Sequence, residues 1–363
     1  MIKIDNATLY NQDCLEFLKG VESKSINLIL TDPPYNINHN AKWDKWKKQE
    51  DYIEWLGSVF LECERVLKDN GSFYFWHNDF QQMAELQHYI AKNTKFVFKS
   101  MISWVKPNFR NMAWQNRTEN SNLRNWFNIQ EYCLYYTFED SGTGLSGIYD
   151  NLDCFVSIKE YMRAEKNKLK EAKGFSSDAA FNQFVNELTQ TSNVISRHYF
   201  ANSQWCFPVE HLYKKLQTTG FFQKPYEELR QEYEELRPRF NIQNRQDYNN
   251  VWYSKEDNGN ISGKLHTCQK PQDLLQKIIL TSSNENDIVL DCFGGSFSTA
   301  IASLRTNRHF IGCERDKTYF DNSIERLKNW KTDLERQDNW LEKRGVKDFK
   351  SDVEVKKENK TLF

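Results

Sequence analysis

Thr31-Asp32-Pro33-Pro34-Tyr35 follows the apolar stretch Ile26 to Leu30 directly and brings together a carboxylate, two prolines and an aromatic ring. At the carboxyl end of a strand, where open α/β sheets place ligands, the prolines make this a rigid and partly dehydrated corner. It suits a planar amine. Asp32 accepts one N–H, the Pro33 carbonyl accepts the other, Pro34 stiffens the turn, and the Tyr35 ring offers a stacking face. A lone Asp-Pro-Pro serves equally well as a stiffened turn with a capping Asp.

A second string, Val289-Leu290-Asp291-Cys292-Phe293-Gly294-Gly295-Ser296-Phe297-Ser298-Thr299, reads as a strand running into a glycine turn and then a helix. Glycines let backbone approach a ligand at the first strand-to-helix turn of a nucleotide-type fold. The phosphate-loop pattern and the full dinucleotide fingerprint are both absent, so ATP and NAD readings fall. About twenty residues further on, Glu314 ends the next apolar run, where a carboxylate can accept both hydroxyls of a ribose. Its plainer role is that of a first-turn helix carboxylate.

These strings need elements to hold them. Strand patterns occur at Thr8 to Asn11, Ile26 to Thr31, Ser72 to Trp76, Phe98 to Val105, Glu131 to Thr137, Asp287 to Phe293 and His309 to Cys313, seven in all. Helical patterns lie between several of them: Asp51 to Lys68, with Ile53, Leu56, Phe60, Leu61, Val66 and Leu67 on one face, then Phe80 to Lys92, Pro271 to Thr281 and Ser298 to Thr306. Alternation of this kind predicts an α/β fold with a mostly parallel, doubly wound sheet. Residues 139–256 change texture, with helical patterns at Lys159 to Lys173, Asp178 to Gln190, Ser192 to Phe200, Pro208 to Gln217 and Pro225 to Leu236. We read 1–138 and 257–335 as two parts of one sheet domain, 139–256 as a mainly helical insertion, and 336–363 as a charged tail.

Composition limits the partners. Lys plus Arg number 49 against 50 Asp plus Glu, a net charge of -1, so a wholesale polycation is excluded and phosphate binding needs local basic faces. No secretory signal and no membrane-spanning run is apparent, and the eight cysteines are scattered without a C-x-x-C pair. They read as reduced core residues of a cytoplasmic protein with no metal site. One basic, aromatic-rich stretch, residues 99–127, carries Lys99, Lys106, Arg110, Arg117 and Arg124 against the single acid Glu119 and reads as a nucleic-acid contact. Within the insertion, the patterns from Asp178 to Gln217 resemble a helix-turn-helix that would present Asn193, Ser196, Arg197 and His198 to a major groove. An ordinary helical hairpin fits the same pattern.

Taken in order, Thr31 to Tyr35, then the insertion, then His266-Thr267-Cys268-Gln269-Lys270-Pro271, then Asp291 to Gly295 resemble the S-adenosylmethionine-dependent DNA amino-methyltransferases in a permuted arrangement like their beta class. The resemblance covers roughly residues 7–137 and 251–328, including Glu64 to Lys68 before Gly71 and Trp104 to Asn108. It implies a seven-stranded, Rossmann-like methyltransferase sheet with its last strand antiparallel, and the helical insertion as target-recognition domain. It further implies that Asp32, Pro33, Pro34 and Tyr35 hold a flipped target base in double-stranded DNA. Asp291, Phe293 and Gly295, with Lys270 and Pro271 beside them, would line the methionine side of S-adenosylmethionine, Glu314 its ribose and Asp13 its adenine. Phe297 departs from the second glycine common in the family, and lies either over the cofactor or in the core. Asp as first motif residue leans to adenine N6 over cytosine N4. Residues 36–48, with His39, Trp43 and Trp46, fit a lid over the base or a plain surface loop. The resemblance leaves a homodimer and a paired restriction endonuclease open as partners. Rival readings are a cytosine-N4 or RNA amino-methyltransferase, a catalytically silent DNA-binding protein, and, opposed by Asp at position 32, a protein-glutamine methyltransferase.

Overall fold

A computed structural model describes residues 1–37, 46–106, 129–138, 153–190, 198–201, 205–237, 239–240, 249–254 and 269–332. The first part of the chain forms β1 (Ile2–Ile4), β2 (Ala7–Tyr10), α1 (Cys14–Lys19), β3 (Ile26–Thr31), α2 (Gln49–Val66), β4 (Leu67–His77), α3 (Phe80–Asn93), β5 (Phe96–Val105) and β6 (Gln130–Phe138). Among the described residues that follow are the helices α4 (Val156–Lys173), α5 (Asp178–Thr189), α6 (Glu210–Gln217) and α7 (Tyr226–Leu236). The chain then returns through β7 (Val251–Tyr253), α8 (Gln272–Ser282), β8 (Ile288–Asp291), α9 (Ser298–Arg305), β9 (His309–Cys313) and α10 (Lys317–Lys328).

All strands join one sheet in the order β1-β2-β9-β8-β3-β4-β6-β5-β7. The seven expected strands are present, and the sheet is extended at its two edges by β1 and β7, each three residues long and too short to leave a periodic signal. β7 lies inside the stretch read as a helical insertion, where it pairs with β5 through Ser103, Trp104 and Val105. β6 is antiparallel to both β4 and β5, whereas β9, the last strand of the chain, runs parallel to β8 and β2. The antiparallel member is therefore fifth of the seven in chain order, because the permutation moves the cofactor-side strands to the end.

The central strands β3, β4 and β8 are buried on both faces, which is why they read as continuous apolar runs. On β4, Tyr74 and Trp76 face α8, α9 and α10, while Phe73 and Phe75 face α1, α2 and α3; Cys133 and Tyr135 alternate with Leu134 and Tyr136 on β6 in the same way. α2 buries Tyr52, Ile53, Leu56, Phe60 and Val66. Leu61 does not join that face and is 38% exposed, since one residue beyond Phe60 turns about 100° round the helix. Leu67 already belongs to β4. α10 and the six-residue α1 carried no pattern strong enough to be read from the sequence.

Right-handed crossovers fix where a ligand crevice opens. β3 leads through α2 to β4 on one side, and β8 leads through α9 to β9 on the other, so the two helices must leave the adjacent strands β3 and β8 on opposite faces. Leu28 pairs with Val289 and Ile29 with Leu290, which brings residues 31–35 and 291–295 to the same end of the sheet. The helices α4 to α7 bury a separate cluster including Phe155, Met162, Phe181, Trp205, Tyr213 and Tyr233. Among the described residues no helix is long and apolar enough to cross a membrane.

Candidate active site

At the end of β3, Thr31 donates its hydroxyl to Asp291 Oδ1 at 2.8 Å and so ties the two strings together. The Asp32 carboxylate accepts the Tyr35 hydroxyl at Oδ1 (2.5 Å) and the Lys270 ammonium at Oδ2 (2.6 Å). Lys270, only 5% exposed, also donates to the Tyr35 hydroxyl at 3.0 Å and pairs with Glu131 Oε2 at 3.2 Å. Glu131 is bound from its other oxygen by Lys106. Burial pushes the Asp32 carboxyl above its ordinary value, with Lys270 pulling the other way. Burial also pushes Glu131 up, but Lys270 and Lys106 together outweigh it and hold that carboxyl low.

A second network braces the corner from below. Tyr52, on α2, donates its hydroxyl to the Pro34 carbonyl at 2.8 Å. His77, at the end of β4, lies 2.9 Å from the same hydroxyl through Nε2, and its Nδ1 accepts the Asp79 N–H. That acceptor role leaves the proton on Nε2, so His77 donates to Tyr52 and Tyr52 to Pro34. Burial lowers the His77 pKa to about 4, which keeps the ring neutral, and the ring packs against Tyr35 at 4.9 Å. Asn36 takes a left-handed conformation (φ 52°), and its side chain accepts the Trp46 N–H. Trp46 packs on Tyr52 and Trp55; His39 and Trp43 lie outside the described residues.

Across the crevice Asp291 is 3% exposed and accepts from Thr31 and the Phe293 N–H at Oδ1 and from Thr299 at Oδ2. Burial raises its pKa to about 6 against those three donors. Gly295 has φ 51° and donates its N–H to Glu314 Oε2 at 2.8 Å, while Glu314 Oε1 accepts the Asp316 N–H at 2.7 Å. Two backbone amides thus pin the carboxylate and leave a lone pair on each oxygen for a vicinal diol. Asp13 caps α1 through Oδ1, and its Oδ2 lies 4.0 Å from the Arg315 guanidinium, just past the end of β2 where Tyr10 pairs with Cys313. Phe293 is half-buried against Trp55. Phe297 is fully buried between Phe310 and Phe320 with φ 51°, the left-handed backbone a glycine would adopt freely. Its ring fills the space beneath Gly294, where an added Cβ would come within 2.3 Å of it.

Several sequence-predicted residues therefore meet in one crevice: Asp32 to Tyr35 on one side, Asp291 to Gly295 and Glu314 on the other. Lys270 bonds to Asp32 and Tyr35, and Pro271 occupies the N-cap position of α8. Tyr52, His77 and Glu131 were not singled out from the sequence, where each is an isolated polar residue in an apolar context. Lys106 is engaged by Glu131 and lies over the Trp104 ring. His198 is buried, and its carbonyl accepts the Ala201 and Cys206 N–H groups. It faces the interior because Tyr199, Phe200 and Trp205 beside it are core residues. Arg110, Arg117, Arg124, Asn193, Ser196 and Arg197, and the second helix of the suggested helix-turn-helix up to residue 197, lie outside the described residues.

Comparison with known proteins adds to this geometry. The model of a family described as DNA methylase, of N6/N4 type, matches residues 26–325. The type II methyltransferase M1.MboII of Moraxella bovis is 25% identical over 317 residues, covering 86% of this chain and 92% of that protein. The DNA adenine methyltransferase YhdJ of Escherichia coli is 28% identical over 322 residues, covering 88% and 82%. Among solved structures, the cytosine-N4-specific PvuII DNA methyltransferase superposes with a TM-score of 0.53 at 15% identity, covering 92% of this chain and 93% of that one, a likeness of fold.

Proposed function

The chain belongs to the N6/N4 DNA methylase family, and from that premise we propose that it methylates the N6 amine of adenine in duplex DNA, using S-adenosylmethionine, at the crevice between β3 and β8. One observation carries this reading: a half-buried carboxylate, Asp32, stands in a proline-stiffened corner tied through Thr31 to Asp291 before the glycine turn. The pinned Glu314 carboxylate fits the ribose diol of the cofactor, and the Gly295 turn with Asp291 fits its amino-acid end. Phe297 leaves that fit intact, since its ring lies in the core. Asp13, at the N-cap of α1 on the same sheet end, suits the adenine amine.

S-adenosylmethionine supplies an electrophilic methyl group. The protein's task is to make an exocyclic amine nucleophilic, because its lone pair is delocalised into the ring. Asp32 and the Pro33 carbonyl accept its two N–H groups, favour the pyramidal form, and bind more strongly as the nitrogen gains positive charge. The Pro34 carbonyl is occupied by Tyr52, so the corner presents one backbone acceptor and one carboxylate. Asp32 then takes the surplus proton. Positioning at about 3 to 3.5 Å supplies much of the rate, and stacking on Tyr35 offsets part of the few kcal/mol that base flipping costs. Arg110, Arg117 and Arg124 supply phosphate contacts in this reading, and Asn193, Ser196 and Arg197 read base edges.

Adenine over cytosine is supported by Asp at motif position one and by the name of the YhdJ relative. The test is transfer of labelled methyl from S-adenosylmethionine to unmethylated duplex DNA, with nucleoside analysis and an Asp32→Ala control. We expect N6-methyladenine that vanishes in the control. N4-methylcytosine would overturn the base assignment, and methylation of RNA alone would overturn the substrate.

A further inference from the structure

The carboxylate that should receive the target amine is already filled from within. Tyr35 holds one oxygen of Asp32 and Lys270 the other, at 2.5 and 2.6 Å. An ammonium in that position opposes the reaction assigned to the corner, because the amine nitrogen becomes cationic as it is methylated and would do so against a like charge in a poorly screened site. Lys270 also has a second anchor, Glu131 on the antiparallel strand β6, 3.2 Å away. Lys106 binds the far oxygen of Glu131, so two carboxylates and two ammoniums balance, and shifting Lys270 within the cluster leaves its net charge unchanged. The rings of Tyr35 and Trp76 lie 5.4 and 5.5 Å from the ammonium, apolar walls that hold a cation along the path.

We propose that Lys270 is a displaceable occupant of the Asp32 acceptor, and that Glu131 is the positioning residue that receives it when the target amine arrives. The inference rests on the base-acceptor reading of Asp32. In the free enzyme Lys270 keeps the half-buried Asp32 carboxylate ionised; in the complex it withdraws to Glu131, and the amine takes its place. Among the described residues, the groups facing Asp32 are Tyr35 from its own turn, Lys270 from the segment before α8, Glu131 and Cys133 from β6, and Asp291 from β8; His77 from β4 faces Tyr35 and senses both Glu131 and Lys270. Among those described groups, Lys270 is the cation in contact with Asp32.

Single-turnover methyl transfer by the full chain, measured from pH 6 to 9, separates displacement from simpler roles. Glu131→Gln should slow transfer about tenfold or more, because the carboxylate that draws Lys270 away from Asp32 is then lost. Lys270→Met in that background should recover much of the rate at pH 9, because losing the ammonium raises the Asp32 carboxyl further and high pH favours its ionised form. Lys270→Met alone, measured at saturating cofactor, should be slow near neutral pH and rise toward the wild-type rate at pH 9. If the double variant is no faster than Glu131→Gln at any pH, or if Lys270→Met is equally slow throughout, Lys270 is an obligatory cation and displacement is wrong. Should Glu131→Gln fail to fold in a thermal melt, the Lys270→Met profile decides alone. A wild-type chain that methylates no DNA removes the functional reading, and this proposal with it, whereas an active wild type with a pH-independent loss in Lys270→Met overturns only the proposal.

Discussion

Asp291 shows how one buried carboxylate can be structural and costly together. Its three donors do not cancel the burial penalty, and its pKa stands near 6 against an ordinary 3.8. A carboxylate raised in the folded state contributes stability below its unfolded value and loses it as pH rises through the folded one. The wild type should therefore lose on the order of 3 kcal/mol relative to Asp291→Asn between about pH 4 and pH 6, and no more above that. Chemical denaturation of both chains across pH 4 to 8 checks this; a flat difference curve would contradict it. The comparison must be a difference, because His77, lowered to about 4 by burial, loses stability in the opposite direction as pH falls from about 6.5. Tyr52 gives a second prediction at this scale. Tyr52→Phe leaves the Pro34 carbonyl and His77 Nε2 without their shared partner, so methyl transfer should fall about tenfold, the cost of one lost buried hydrogen bond, with cofactor affinity unchanged. An equal loss in cofactor binding would mean that the strut supports the whole crevice instead of the base corner.

At the scale of elements, the turn from β8 into α9 carries the departure from the family pattern. Phe297 accepts a left-handed backbone and contributes a buried ring to the packing of Phe310 and Phe320. Restoring the family's common residue, Phe297→Gly, relieves roughly 1 kcal/mol of backbone strain but removes a side chain worth about 3 to 5 kcal/mol in a core. We expect a net loss of about 2 to 4 kcal/mol in urea denaturation, with little change in cofactor affinity at a temperature where the variant is folded. A variant as stable as wild type would show that the ring is dispensable. The sequence located this turn and its glycines; it left the ring's place open, because one residue's side chain is equally compatible with a ligand face and a core until the packing partners from β9 and α10 are known. The same limit applied to His198, which sequence spacing put on a recognition helix and which is buried beside Tyr199, Phe200 and Trp205.

At the scale of the whole molecule, a net charge of -1 means that DNA binding depends on a few cations in favourable places. Lys106 is spent on Glu131, which leaves Arg110, Arg117 and Arg124 as the phosphate contacts of the basic stretch in the proposed reading. Replacing each by Ala should weaken binding to all sequences alike and reduce the slope of log affinity against log salt by about one. Unchanged slopes would move the phosphate track to another face.

What the sequence determined by itself was seven of the strands, their α/β class, the permuted order of the motifs, and the carboxylates of the two strings, Asp32, Asp291 and Glu314. Those are local or periodic properties, written in consecutive residues whose apolar runs follow from burial on both sheet faces. Only the tertiary structure decided that β3 and β8, 260 residues apart, lie side by side, that Lys270 bonds to Asp32, and that Tyr52, His77 and Glu131 complete the corner. Each of those three residues stands alone in its own segment. Their meaning comes from α2, β4 and β6 converging on one end of the sheet, a consequence of crossover handedness and strand order that no single stretch of sequence contains.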